Sequence, residues 1–206
     1  TDTFVDVQNA IDESNGLGVW GTEGDDTFNV TVGDDQWFTA AGMGGSDVYN
    51  LSVNSDTGYI RLAFTQFWLT GPSQGVDVNL TTGVIANNGY GETGAVNVLQ
   101  QDGRIELRGT DNDDVMIGGA GTDGFITRLG NDTVDGMGGF DLIRYDRSGV
   151  TNVTVDLAAG SATGTWSSTA FTDTLMNIEW VRGSFYADTL LGDEVNNYFE
   201  GNYGND

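Results

Sequence analysis

The chain has no cysteine, no histidine and no lysine, and one proline in 206 residues. Without cysteine there is no disulfide, no thiolate metal site and no thiol nucleophile. Without histidine, a Ser-His-Asp triad and a zinc-histidine centre are excluded as well. Positive charge is scarce: seven basic residues, all arginine, stand against 31 acidic ones, for a formal net charge of −24. Nucleic acid and anionic membrane surfaces need basic patches that such a balance argues against. No apolar run approaches the length of a membrane span, and no signal-peptide pattern is visible. The chain does not open on Met and stops within a repeat, so it reads as a piece of a longer protein.

What is plentiful is glycine, 32 residues, beside a hydrophobic fraction of 38% and an aromatic fraction of 11%. That is too apolar for a disordered chain and implies many turns around a real core. The glycines are phased. Residues 109–144 divide into "GTDNDDVMI", "GGAGTDGFI", "TRLGNDTVD" and "GMGGFDLIR". The sixth place is always Asp: Asp114, Asp123, Asp132 and Asp141. The eighth is always apolar: Met116, Phe125, Val134 and Ile143. The frame returns at "GSFYADTLL", "GDEVNNYFE" and "GNYGND" in 183–206, and at "GTEGDDTFN", "VTVGDDQWF" and "GMGGSDVYN" in 21–50, the last out of step by three residues.

Six turn-like residues followed by three extended ones, repeated, predict a coil of short parallel strands. Two nonads make one circuit, so nonads 18 residues apart stack. Stacking brings sixth-place carboxylates and turn carbonyls of neighbouring layers together, the hard oxygen set that suits Ca²⁺. The eighth-place side chains, including Phe28, Trp37, Tyr49, Phe125 and Phe199, are expected to fill the core.

The pattern resembles the RTX nonapeptide G-G-x-G-x-D-x-U-x of calcium-binding β-roll proteins. The resemblance implies an all-β fold: a right-handed parallel β-roll or β-solenoid with calcium-binding turns. It also implies several Ca²⁺ ions, each held by two sixth-place Asp and by carbonyls from the first four places. One site would use Asp114 and Asp132 with the carbonyls of Gly109, Asp111, Arg128 and Gly130. A second would use Asp123 and Asp141 with the carbonyls of Gly118, Ala120, Met137 and Gly139. A third would pair Asp188 with Asp206, and a fourth Asp26 with Asp47 if the three-residue slip bulges outward. Asn112 at a fourth place, Val195 and Asn197 in the nonad from Gly192, and Thr22, Thr110, Arg128 and Met137 at second places depart from the family pattern. The resemblance further implies a secreted or cell-surface bacterial protein that leaves the cell unfolded by type I secretion and folds on calcium outside.

Residues 51–108 and 145–182 lack nonads but resemble each other: "VDVNLTTG" (76–83) is similar to "VTVDLAAG" (153–160). Both alternate apolar and polar residues, as does "YIRLAFTQFWL" (59–69), and are expected to be wider, metal-free circuits of one 206-residue domain. Residues 1–20 are expected to pair onto the first circuit or to join a preceding domain. Trp20, Trp68, Trp166 and Trp180 could stack on sugars but fit half-buried strand positions better. Paired acids such as Asp25–Asp26 and Asp113–Asp114 fit ligation or turns better than acid/base catalysis. No Tyr-Arg-carboxylate cluster can be placed from sequence, so no catalysis is expected within the chain. The expected function is a calcium-binding structural module. Its alternatives are part of a secreted polysaccharide-acting enzyme, or a glycan-binding or self-associating surface protein.

Overall fold

The computed structural model describes residues 3–4, 16–65 and 71–206. Trp68 and the end of the alternating stretch 59–69 lie outside these residues. In chain order the first strands are β1 (Thr3–Phe4), β2 (Gly16–Trp20), β3 (Thr27–Val32), β4 (Trp37–Ala41), β5 (Val48–Val53) and β6 (Tyr59–Ala63). Next come β7 (Val76–Asn79), β8 (Val84–Asn88), β9 (Gly94–Gln101), β10 (Arg104–Arg108), β11 (Val115–Ile117), β12 (Asp123–Ile126), β13 (Thr133–Asp135) and β14 (Leu142–Arg144). The last are β15 (Val150–Asp156), β16 (Ser161–Trp166), β17 (Thr169–Met176), β18 (Trp180–Arg182), β19 (Thr189–Leu191) and β20 (Tyr198–Glu200). The described residues are all-β, with no helix.

The strands form two sheets. One has twelve strands in the order β1-β3-β5-β9-β8-β7-β11-β13-β17-β16-β15-β19, the other eight in the order β2-β4-β6-β10-β12-β14-β18-β20. Through the nonads the chain alternates between the sheets, strand by strand. The eight-stranded sheet is parallel throughout. Registers follow the nonad arithmetic: Met116 pairs with Val134 and Phe125 with Ile143, each 18 residues on.

In the block 109–144 each nonad contributes a three- or four-residue strand whose eighth place points inward. Met116, Phe125, Val134 and Ile143 are fully buried in one core cluster fed by both sheets. Two members of the expected core differ. Trp37 is 36% exposed, and the neighbouring Phe38 is buried in its place, so "VTVGDDQWF" is one residue out of frame. Its Asp35 sits in an exposed turn, where its N–H bonds the Thr57 hydroxyl. Phe199 is 38% exposed because β20 is the edge of its sheet and no further layer covers it.

The three-residue slip near the N-terminus makes no bulge. β3 and β5 are six residues each and pair without interruption from Thr27↔Val48 to Val32↔Val53, a register of 21. The longer circuit is absorbed by longer strands. At the N-terminal end β1 pairs with β3 and β2 with β4, so the described residues of this segment, 3–4 and 16–20, pair onto the first strands.

The stretches between nonads are not simply wider parallel circuits. Each folds into a three-stranded antiparallel meander, β7-β8-β9 and β15-β16-β17, inserted into the twelve-stranded sheet. Both run backwards through the stack. β9 joins β5 and β7 joins β11, while β17 joins β13 and β15 joins β19, all in parallel. Gly83 and Gly160, with φ of +74° and +67°, close the first hairpin of each meander, which is what "TTG" and "AAG" have in common.

Candidate metal centre

Within a nonad, the sixth-place Asp folds back over the first-place Gly. A Cβ on Gly118, Gly136 or Gly183 would lie 2.7, 2.6 or 2.5 Å from Oδ2 of Asp123, Asp141 or Asp188. Glycine is required there to make room for the carboxylate. In four nonads the second-place N–H then donates to Oδ2: Thr22 to Asp26 (2.6 Å), Thr110 to Asp114 (2.8 Å), Gly119 to Asp123 (2.5 Å) and Ser184 to Asp188 (2.6 Å). Thr22, Thr110 and Ser184 add their hydroxyls to the same carboxylates. Ser/Thr four residues before Asp was the sequence signal for this cap.

Between layers, Oδ1 of each upper Asp accepts the N–H of the lower one. Asp26 donates to Asp47 (3.0 Å), Asp114 to Asp132 (2.9 Å), Asp123 to Asp141 (2.7 Å) and Asp188 to Asp206 (2.9 Å). All four expected pairs are brought together. The ladder runs past the nonads onto residues the repeat does not contain. Asp132 N–H donates to Asp173 Oδ1 at 3.2 Å, and Asp141 N–H to Glu179 Oε2 at 3.0 Å. Below the block, Val76 N–H and the Gln101 amide occupy the equivalent positions on Asp114 and Asp123.

The upper carboxylates differ from the lower ones. Asp132 and Asp141 are buried, and the Oδ2 of each has no hydrogen-bond partner. The cause at Asp141 is local: Met137 takes φ +65° and its N–H turns to the Asp135 side chain instead. At Asp132 the Arg128 N–H faces the carboxyl, while Thr127, standing where most nonads have Gly, hydrogen-bonds Asp173 and Tyr145. An orphaned carboxylate oxygen in a buried site is costly unless a cation or proton meets it.

The charge state says the same. Burial first, with the charges of Asp26, Asp25 and Glu92 added, pushes the Asp47 carboxyl up to about 7. Burial, with Asp123, Glu179 and Asp135 nearby, takes Asp141 to about 7, and burial takes Asp114 and Asp123 to about 6. Asp132 and Asp173 are a buried pair of like charges, and both are raised, by burial and, for Asp132, by the charges of Asp173 and Asp114.

The turns also approach closely enough to share a ligand. The fourth-place glycines of the upper layers, Gly45, Gly130, Gly139 and Gly204, have φ of +94°, +115°, +140° and +138°. A Cβ on Gly130 would lie 2.5 Å from the Asn112 carbonyl oxygen, and one on Gly139 would collide with that of Gly121. Gly45 over Gly24 and Gly204 over Tyr186 repeat the arrangement. Of the carbonyls named from the sequence, Gly109 and Gly118 each accept a hydroxyl from outside the nonads, Thr65 at 2.7 Å and Thr81 at 2.9 Å, which leaves each oxygen one lone pair. Those of Asp111, Ala120, Arg128, Gly130, Met137 and Gly139 belong to exposed or half-buried turns. Among the described residues no three carboxylates come close enough to hold a metal by side chains alone. A site here needs backbone oxygens beside its carboxylate pair, and the residues present fit an oxygen-liganded cation on those terms.

Two sixth places stand apart. Asn197 Oδ1 accepts its own turn's Asp193 N–H at 2.9 Å and adds no carboxylate. Asp206 is exposed at the last turn. No protein-family model matches the chain, and no curated protein matches it in sequence, so its likeness to the RTX repeat is carried by the nonad residues alone.

Proposed function

We propose that the chain is a calcium-dependent structural module: a right-handed parallel β-solenoid of the RTX type, interrupted by two antiparallel meanders, from an exported bacterial protein. The observation that carries this reading is the buried carboxylate ladder, with Asp132 Oδ2 and Asp141 Oδ2 left without partners. Strands that alternate between two sheets with 18-residue registers support the solenoid.

Asp114 with Asp132, and Asp123 with Asp141, would hold one Ca²⁺ each, completed by the turn carbonyls. Asp26 with Asp47 and Asp188 with Asp206 are the further pairs. Bound calcium supplies positive charge to a chain of net charge −24. The chain's own residues do the rest. Gly130 and Gly139 let the layers approach, the second-place N–H groups orient the lower carboxylates, and the inter-rung N–H bonds fix the upper ones. Because the site exists only when layers stack, binding free energy becomes folding free energy. Extracellular modules bind in the range of about 10⁻⁴ to 10⁻³ M, which suits a chain kept unfolded inside a cell and folded outside. We assign the chain no catalysis of its own.

Far-UV circular dichroism across a calcium titration, with magnesium as control, tests the reading. β-signal should appear cooperatively with calcium at millimolar concentration and not with magnesium. Full β-signal in chelator would overturn it.

A further inference from the structure

The scarce positive charge is gathered in one place. On the eight-stranded sheet, Ile60, Leu62, Ile105, Leu107, Ile143 and Val181 point into the core. The residues alternating with them point out, and they include most of the protein's arginines. β6 contributes Tyr59 and Arg61; β10 contributes Arg104, Glu106 and Arg108. β14 ends on Arg144, followed by Asp146 and Arg147, and β18 offers Trp180 and Arg182. Strands far apart in sequence meet here, Arg61 beside Glu106 and Arg144 beside Arg182 in register.

Glu106, fully buried, is the anchor. It accepts Arg61 Nε at 2.5 Å and Arg144 Nη1 at 2.9 Å, with Arg104 Nε at 3.9 Å. Burial alone would raise its carboxyl; Arg61, Arg144 and Arg104 together hold it down to about 2. Arg144 also forks onto Asp146, and Arg182 onto Glu200 of β20. Arg61, Arg104, Arg144, Arg147 and Arg182 thus share Glu106, Asp146 and Glu200, five guanidiniums to three carboxylates on one face of a strongly anionic protein. Arg104 Nε and Arg147 Nη2 are buried without an acceptor. The guanidiniums crowd one another enough that burial and neighbouring cations lower Arg104 and Arg147.

Aromatic rings flank the arginines. Trp37 and Tyr59 stack at 6.2 Å, and Arg104 lies 4.9 Å over the Tyr59 ring. At the far side, Trp180 meets Tyr198 edge-on at 5.5 Å and lies under Arg182. Trp37 is 36% and Tyr198 52% exposed. From β6 to β18 is four strand steps, about 19 Å at ~4.8 Å per step, each step comparable with one pyranose unit.

We propose that this face is a binding track for an acidic polysaccharide running across the strands, independent of the calcium reading. Arginines fork onto its carboxylates, the end aromatics stack on sugar faces, and Asp146 and Glu200 accept sugar hydroxyls. A single-stranded nucleic acid fits less well. Every residue of its backbone is anionic, and the carboxylates set among the arginines would oppose that density.

Affinity electrophoresis of the calcium-loaded protein in gels containing hyaluronan, neutral dextran or an oligothymidylate tests this. Retardation by hyaluronan alone, weakening with added salt, is expected. Arg104→Gln with Arg182→Gln should weaken it at least about tenfold, with circular dichroism unchanged. If the arginine variants fail to fold, Trp37→Ala, at an exposed position, should still weaken retardation. No retardation by hyaluronan, equal retardation by dextran, tighter binding to the oligothymidylate, or variants that bind like the parent would overturn the proposal. So would self-association that the arginine variants abolish, since the track would then be occupied by a second copy.

Discussion

The four-nonad block, through β11 and β13, shares the twelve-stranded sheet with the two meanders, yet the two regions are held together differently. Residues 109–144 make three- and four-residue parallel strands, and their turns stack buried carboxylates on one another. Residues 76–101 and 150–176 make longer antiparallel strands with alternating buried and exposed residues. Among the meanders' carboxylates only Asp173 is buried, and it belongs to the ladder of the neighbouring block. The meanders are thus complete by hydrophobic packing and hydrogen bonds. The block is complete only if something neutralises its carboxylates. The calcium ligands should therefore be confined to the nonads, while the shared core makes the whole fold depend on them.

The largest effect should come from the metal-free side of this comparison. Phe171 is buried in the second meander and stacks on Tyr145 at 5.7 Å. Phe171→Ala should cost about 3–5 kcal/mol in calcium, read as a fall in thermal midpoint, while the metal stoichiometry by atomic absorption stays that of the parent. A loss of bound calcium in this variant would show the two regions to be inseparable.

Next comes the stacking of the turns. Gly130→Ala or Gly139→Ala puts a Cβ against the carbonyl of the layer below at a φ that side chains rarely adopt. Each should destabilise the calcium-loaded protein by about 1–3 kcal/mol and raise the calcium midpoint. The same substitution at Gly138, where a Cβ would meet nothing within 4 Å, should do far less.

The upper carboxylates separate the roles of charge and metal, because their effect changes sign. Asp141→Asn should raise the calcium midpoint about tenfold, or about 1.4 kcal/mol, yet stabilise any metal-free fold. pH should act likewise. Asp47 and Asp141 titrate near 7 and Asp114 and Asp123 near 6 in the metal-free fold, above the ~3.9 of an unfolded Asp. The folded chain therefore binds more protons between these values, and in chelator its stability falls as pH rises from about 4 through 7. In calcium the trend reverses, since metal competes with those protons. Chemical denaturation at pH 5 and pH 8, with calcium and with chelator, reads both slopes.

The smallest effect concerns Met137, held at φ +65°. Met137→Gly should stabilise by about 0.5–1 kcal/mol, as relief of left-handed strain.

The sequence made the block legible and left the rest dark for physical reasons. A repeat that phases Asp with Gly and an apolar residue states its own register, so Met116↔Val134 and the four Asp pairs follow from arithmetic. The meanders share their alternation with parallel strands; only Gly83 and Gly160 distinguished a hairpin from a circuit. Trp37 was placed inside because it fills an eighth place, whereas longer N-terminal strands shift the inward residue to Phe38. Asp173 and Glu179, the outer rungs, carry no repeat around them. The arginine track was invisible because Arg61, Glu106 and Arg144 are 45 and 38 residues apart and meet only through the sheet.

Amide hydrogen exchange at Asp114 and Asp123, whose N–H groups bridge to the rung above, tests most directly whether calcium joins these layers. Both amides should be strongly protected in millimolar calcium and exchange freely in chelator at neutral pH. Equal protection in both solutions would mean that the layers cohere without metal, and would contradict the account.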